Sequence, residues 1–384
     1  MKRSIILLCL IAMACLTISA QVKKRPAGNK PAAKSAPVKK TTTPATFAIV
    51  NMDSDVSLEK PLAEGPDALY FINQLGRSVL AIDKKTGNIS QYLPGGRDKM
   101  ITAIGHDGKD LYMMVTNVGL VRYDGKSRET SPCLFPTSDF GKGVIGHQHE
   151  FRGITFSPNK RWLVAYGTGA LLFDMEGGQC KFVRQYDSNG IQNAFVFDDG
   201  GMLTITTSEI VAVPPTAGKD IRPYKEVEGG AKIYKVKSDI MATTVKDGTL
   251  YGCWNRFLAK TPLPWQDIKW ELVYQLESED NRFQNFAIGP KSIMAECEEY
   301  GQYYVEWSSS DFTGTPAIKA GLKTTIKHPV FGTPIEQKRN SDQLYYDQQG
   351  NLIMYGYSNL DIYNPDGIKG YTSLQNKTTK FNGE

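Results

Sequence analysis

Histidine is scarce in this chain, with four residues in 384. A zinc centre or an imidazole-driven triad therefore has few places to form. Motif-borne chemistry is missing as well. There is no Gly-x-Ser-x-Gly elbow, Walker loop, Rossmann glycine fingerprint, His-Glu-x-x-His or Cys-x-x-Cys. A Ser-His-Asp set built from distant residues stays open, but nothing points to one. No apolar run reaches the roughly 20 residues that a membrane helix needs. Acid is absent from the first 45 residues, which hold nine Lys or Arg. The whole chain is +5, so residues 46–384 carry −4 and offer no basic excess for a nucleic-acid groove.

The basic leader has two parts. Met1-Lys2-Arg3, an apolar stretch from Ile5 to Leu16 and the small exit Ser19-Ala20 form the three regions of a secretory signal peptide over 1–20. An uncleaved anchor is one alternative. A lipoprotein modified at Cys15 is another, although Ala12 stands where such signals usually carry Leu. Residues 21–45 are rich in Pro, Ala, Thr and Lys, and cannot bury enough apolar surface to offset ordering entropy. They are expected to be a disordered tether, either a solvated spacer or one in weak contact with an anionic envelope surface. The expected location is the periplasm or outside the cell, with no membrane-spanning segment after cleavage.

Residues 46–384 repeat one pattern: a turn, an apolar strand, a short polar turn, and a second apolar strand. The anchors of the first strand are Leu69, Leu111, Leu163, Leu203, Leu250, Ile293 and Leu352. Most intervals between them match the roughly 40–50 residues of a four-stranded propeller blade. The longest is the last, which places an insertion within 308–340. Short alternating strands flank most anchors, as at 101–105, 153–156 and 194–197 before them and 89–93, 180–184 and 270–276 after. No stretch shows a capped helical period. The expectation is an all-β, seven-bladed β-propeller of four-stranded antiparallel blades. The strand at 46–50 serves either as the inner strand of blade one or as a closing strand on blade seven, and residues 56–63 are the alternative inner strand.

Residues 69–96, LYFINQLGRSVLAIDKKTGNISQYLPGG, resemble the bacterial YVTN-type propeller repeat. Residues 108–125, GKDLYMMVTNVGLVRYDG, and 162–174, WLVAYGTGALLFD, resemble the two-component-regulator propeller repeat. The resemblance implies a secreted bacterial propeller. It implies no reaction, because this fold hosts many activities. Blade alignment also bears on the cysteines. Cys253 and Cys297 fall at the same strand position of neighbouring blades, and Cys133 and Cys180 lie near the outer strands of blades two and three. Disulfides Cys133–Cys180 and Cys253–Cys297 are expected, with buried thiols as the alternative.

In a propeller, the loops entering the inner strands and those between second and third strands share one face, where ligands usually bind. The densest polar cluster there is His147-Gln148-His149-Glu150, followed by Arg152. Two His and a Glu suit a metal, but no further ligand is identifiable, so no metal and no cofactor is expected. Other candidates are Asn193, Arg256, Arg282, Asn285 and Asn340, with Arg97, Asn117, Gln192, Glu298, Glu299, Arg339 and Asp342 nearby. Arginine and amide side chains suit an anionic or sugar-like ligand. Two functions follow. One is a non-catalytic exported propeller that binds an envelope protein or small polar ligand at its loop face. The other is a funnel-site hydrolase or lyase acting on a lactone, sugar or similar substrate through His147, His149 or Glu150.

Overall fold

The computed structural model describes residues 46–374 except 52–57, 74–77, 94–98, 125–128, 137–150, 188–189, 216–220, 224–231, 237–238, 264–267, 299–301, 321–322, 328–333, 339–342 and 357–358. The signal peptide and tether expected over 1–20 and 21–45 lie outside these residues.

Strands dominate, and the one helical element among the described residues is a single 3-10 turn at Glu176–Gly178. Seven antiparallel sheets follow one another along the chain. Their first strands are Leu58–Glu64, Ile101–His106, Phe151–Phe156, Asn193–Val196, Ala242–Lys246, Arg282–Ile288 and Gln343–Tyr346. Five of these sheets have four strands, laid down in sequence order in blades one, four, five and six. Blade two fills its outer place with two short pieces, Glu129–Thr130 and Phe135–Pro136. Blade three gains a fifth strand, Ile221–Pro223, which runs parallel to Lys181–Asp187.

Each of the seven central strand pairs coincides with an anchor read from the sequence. These strands are apolar along most of their length because both faces are covered. Leu69 and Phe71 pack towards Ile353 and Tyr355 of blade seven. Their alternates Tyr70 and Ile72 pack towards Ile104 and Met113 of blade two. The two-residue side-chain period of a strand thus serves two neighbours at once. The seven apolar clusters occupy the seven junctions between adjacent blades. The ring is a seven-bladed β-propeller, as its sequence pattern predicts.

Closure settles the position of the first strand. Phe47–Asn51 pairs with Asn359–Tyr363, not with blade one, and supplies the outer strand of blade seven. Leu58–Glu64 is the inner strand of blade one. The expected insertion is a separate hairpin, Lys323–Lys327 with Pro334–Lys338, placed between blades six and seven.

The turns between first and second strands lie on the face opposite the turns between second and third strands. Here His106 stacks on Tyr70 at 5.5 Å, and its Nδ1 accepts from the Gly108 N–H at 2.9 Å. Gly65 leaves the room it needs, since a Cβ there would lie 2.8 Å from Nε2. Burial lowers the imidazole pKa below its ordinary value, and the charge of Asp107 only partly opposes this. The unfolded chain therefore takes up the proton first. Stability from this site is present above about pH 6.5 and is lost as pH falls through the lower folded value. Thermal melts between pH 7 and pH 5 should show a falling midpoint that flattens in His106→Gln. An identical slope in that variant would assign the acid sensitivity to other groups.

Candidate functional site

The loop face is formed by second-to-third strand turns and by the connections from each outer strand to the next inner one. At the junction of blades five and six, both kinds of loop are described. The first is the turn Trp254–Phe257 between strands Thr249–Trp254 and Phe257–Pro262. Asn255 adopts a positive φ of 46°, which the tight reversal requires. The second is residues 276–281, running from Glu271–Gln275 to Arg282–Ile288. Two backbone bonds tie them: Leu276 N–H to the Arg256 carbonyl at 3.0 Å and Phe283 N–H to the Asn255 carbonyl at 2.7 Å.

These bonds bring Arg256 and Arg282 to the lining of one open cavity of 420 Å³, with Phe257, Glu279, Asp280 and Asn281. Its volume falls in the roughly 300–1,000 Å³ range of ligand pockets. The Arg256 guanidinium sits 5.5 Å over the Phe257 ring and 3.2 Å from Glu279 Oε1. Arg282 reaches Glu298 Oε2 at 3.1 Å, and the Gln284 amide donates to the same oxygen at 2.6 Å. The Glu279 side chain is 84% exposed, so its pairing with Arg256 is weakly held and open to exchange. The Asn281 Oδ1 is buried and accepts no bond among the described residues. Three carboxylates accompany the two arginines. The rim is therefore of mixed charge, with Arg256 and Arg282 each offset by a carboxylate.

The other expected site residues are distributed differently. His147, His149, Glu150 and Asn340 lie outside the described residues, as do Arg97, Glu299, Arg339 and Asp342. Arg152 is exposed on the inner strand of blade three, as the extra residue of a bulge between Phe151 and Gly153. Gln284 holds the corresponding place in blade six. Bulges of this kind re-aim a side chain and are frequent beside binding sites.

Asn193 and Asn285 are engaged in joining blades. The Asn193 amide donates to the Thr243 carbonyl and hydroxyl at 3.2 Å, while its Oδ1 accepts from the Ala194 N–H. Asn285 repeats the pattern, donating to Gln343 Oε1 at 3.2 Å and accepting from the Phe286 N–H at 2.8 Å. Both fasten one inner strand to the next. Glu279, Asp280 and Asn281 were missed as site residues. A usable signal exists: they form a polar run just before an inner strand, where blade three carries the His147 cluster.

No group of three His, Cys, Asp or Glu among the described residues is arranged to hold a metal ion. None of their helices is long and apolar enough to cross a membrane.

No family model matches the sequence, and no curated protein matches it. Solved structures do resemble it in shape. The WD40 β-propeller domain of Doa1 aligns over 84% of this chain and 97% of its own, with a TM-score of 0.51 and 12% identity. This chain is a β-propeller. A chain of the mitotic checkpoint complex matches 91% of this chain and 100% of its own length, at TM-score 0.55 and 12% identity. The extracellular domain of BT4673 from B. thetaiotaomicron, named as a one-component system, matches over 82% at TM-score 0.53 and 12% identity. The propeller spans 39% of the length of that BT4673 chain. Identity this low makes the likeness one of fold.

Proposed function

We propose that this protein is an exported, non-catalytic propeller that binds a partner protein or small polar ligand at its loop face in the cell envelope. The rim of blades five and six is its recognition surface. One observation carries the reading. Arg256 comes from a turn of blade five and Arg282 from the start of the inner strand of blade six, yet both line one cavity beside an aromatic ring and an unsatisfied amide oxygen. Such a rim matches a ligand surface bearing both signs of charge, since Arg and aromatic groups are favoured anchors and mixed charge confers selectivity. The neighbours fit this reading: one is an extracellular domain and another belongs to a multi-protein complex. The alternative hydrolase or lyase rests on His147, His149 and Glu150, and no described residue adds to it.

Cross-linking of the tagged protein in intact cells, read by mass spectrometry, tests the proposal. Adducts should map to residues 254–257 and 276–284, and Arg256→Glu with Arg282→Glu should reduce their yield at least tenfold, the loss of about 1.4 kcal/mol. Adducts unchanged in that double variant would reject this rim as the recognition surface.

A further inference from the structure

The structure holds Cys133, Cys180, Cys253 and Cys297 as thiols. It also places them as two pairs, one at each of two blade junctions. At the junction of blades two and three, Phe135 stacks on Phe182 with centroids 4.9 Å apart. Cys133 and Cys180 each precede one of these rings by two residues, so each is one side-chain step from a stacked pair. Cys180 packs in the same apolar cluster as Leu134 and Phe135. The Cys133 thiol points back along its blade, 3.3 Å from the Val118 carbonyl.

At the junction of blades five and six the second pair lies in the core. Cys253 and Cys297 are both fully buried in one cluster. Phe283 pairs directly with Cys297, and its N–H bonds the carbonyl of Asn255, two residues beyond Cys253. Each pair is also electrostatically linked. Burial raises the Cys180 thiol to about 12, with Cys133 adding to the rise. Burial likewise raises Cys297, with Cys253 again adding.

We infer that the ring is stapled by two disulfides between adjacent blades, Cys133–Cys180 at the surface and Cys253–Cys297 in the core. The inference is independent of what the loop face binds. Formation requires an oxidant bearing a disulfide, such as oxidised glutathione or a dithiol oxidase. The Cys133 thiolate attacks that disulfide, forms a mixed disulfide and expels one oxidant thiolate. Cys180 then loses its proton and attacks the Cys133 sulfur, expelling the second oxidant thiolate. Two protons and two electrons leave the protein for each bridge.

The two sites differ in access. Cys133 is exposed, so its bridge forms and reopens in the folded ring. Cys253 and Cys297 are sealed, so their bridge forms only before blades five and six close over them.

The test uses the full chain, refolded either with oxidised glutathione or fully reduced and exposed to it afterwards. Denaturing alkylation and peptide mapping then identify the links. Oxidative refolding should protect all four of these thiols and yield both named pairs. Oxidation after reduced refolding should yield Cys133–Cys180 alone, and mild reductant on the native protein should reopen that bridge alone. The oxidised ring should unfold at higher denaturant than the reduced one, with part of the shift lost in Cys180→Ser. Any other pairing, or either named bridge missing after oxidative refolding, overturns the inference. A Cys253–Cys297 bridge formed equally well in the prefolded ring overturns the ordering.

Discussion

Deleting residues 46–51 should abolish the single cooperative unfolding transition of the ring. Five residues of this strand pair with Asn359–Tyr363, and the Asn364 N–H donates to the Thr46 carbonyl at 2.8 Å. Its side chains serve both neighbouring junctions. Phe47 packs with Met294 and Tyr304 of blade six, and Ala48 packs with Leu69 and Phe71 of blade one. Removal leaves blade seven with an exposed edge and opens two apolar clusters. Repeat stacks that do not close need polar caps to cover their ends.

A milder variant calibrates the effect. Phe47 is 2% exposed, and truncating a buried Phe to Ala costs about 3–5 kcal/mol. For a chain of this size the loss corresponds to a fall in melting temperature of roughly 4–7 °C. The full deletion should exceed that and approach the roughly 5–15 kcal/mol of a whole domain. Differential scanning calorimetry reads both. A deletion variant that melts as the parent does would show the closing strand to be dispensable.

Breaking the ion pair of Glu64 and Lys84 should cost almost as much as Phe47→Ala. The pair lies on the face opposite the loop rim, with side chains 5% and 4% exposed. Glu64 also accepts from the Tyr345 hydroxyl at 2.5 Å and from the Gln348 N–H at 2.9 Å, so blades one and seven are joined through a single carboxylate. The C-terminal segment completes the contact. Tyr371 N–H donates to the Lys84 carbonyl at 2.8 Å, and the Tyr371 hydroxyl donates to Asp347 at 2.9 Å. Gly370 permits this approach: its φ is +78°, and a Cβ would lie 2.2 Å from the Lys84 oxygen.

Removing one partner of a buried pair costs about 3–5 kcal/mol, because the other charge is left without compensation. Lys84→Met should therefore lower the urea midpoint sharply. Glu64→Gln should do so as well, while retaining some hydrogen bonding. The double variant should lose less than the sum of the two. Strict additivity in this cycle would mean that the pair makes no coupled contribution.

The sequence determined the fold to an unusual depth because each blade writes its own local record. A central strand covered on both faces must be largely apolar, so seven such strands at blade spacing are legible without any tertiary information. The outer and inner strands were less so. Lys232–Lys235 and Ala242–Lys246 are short and polar, and only pairing with a neighbour makes them strands. Whether residues 47–51 belonged to the first blade or the last could not be read from pattern. That choice depends on two chain ends meeting, a contact with no local signature.

The site divides in the same way. The sequence marked Arg256 and Arg282 as loop-face residues, because repeat position alone assigns the face. Only the tertiary structure decided that the turn at 254–257 and the loop at 276–281 are tied together by backbone bonds. It also showed that Glu279 and Glu298 offset the two arginines, and that Asn193 and Asn285 spend their amides on the neighbouring blade. Charge balance and hydrogen-bond partnership are properties of what lies across a junction. A one-dimensional repeat specifies which residues reach the junction, and packing of the next blade specifies what they meet.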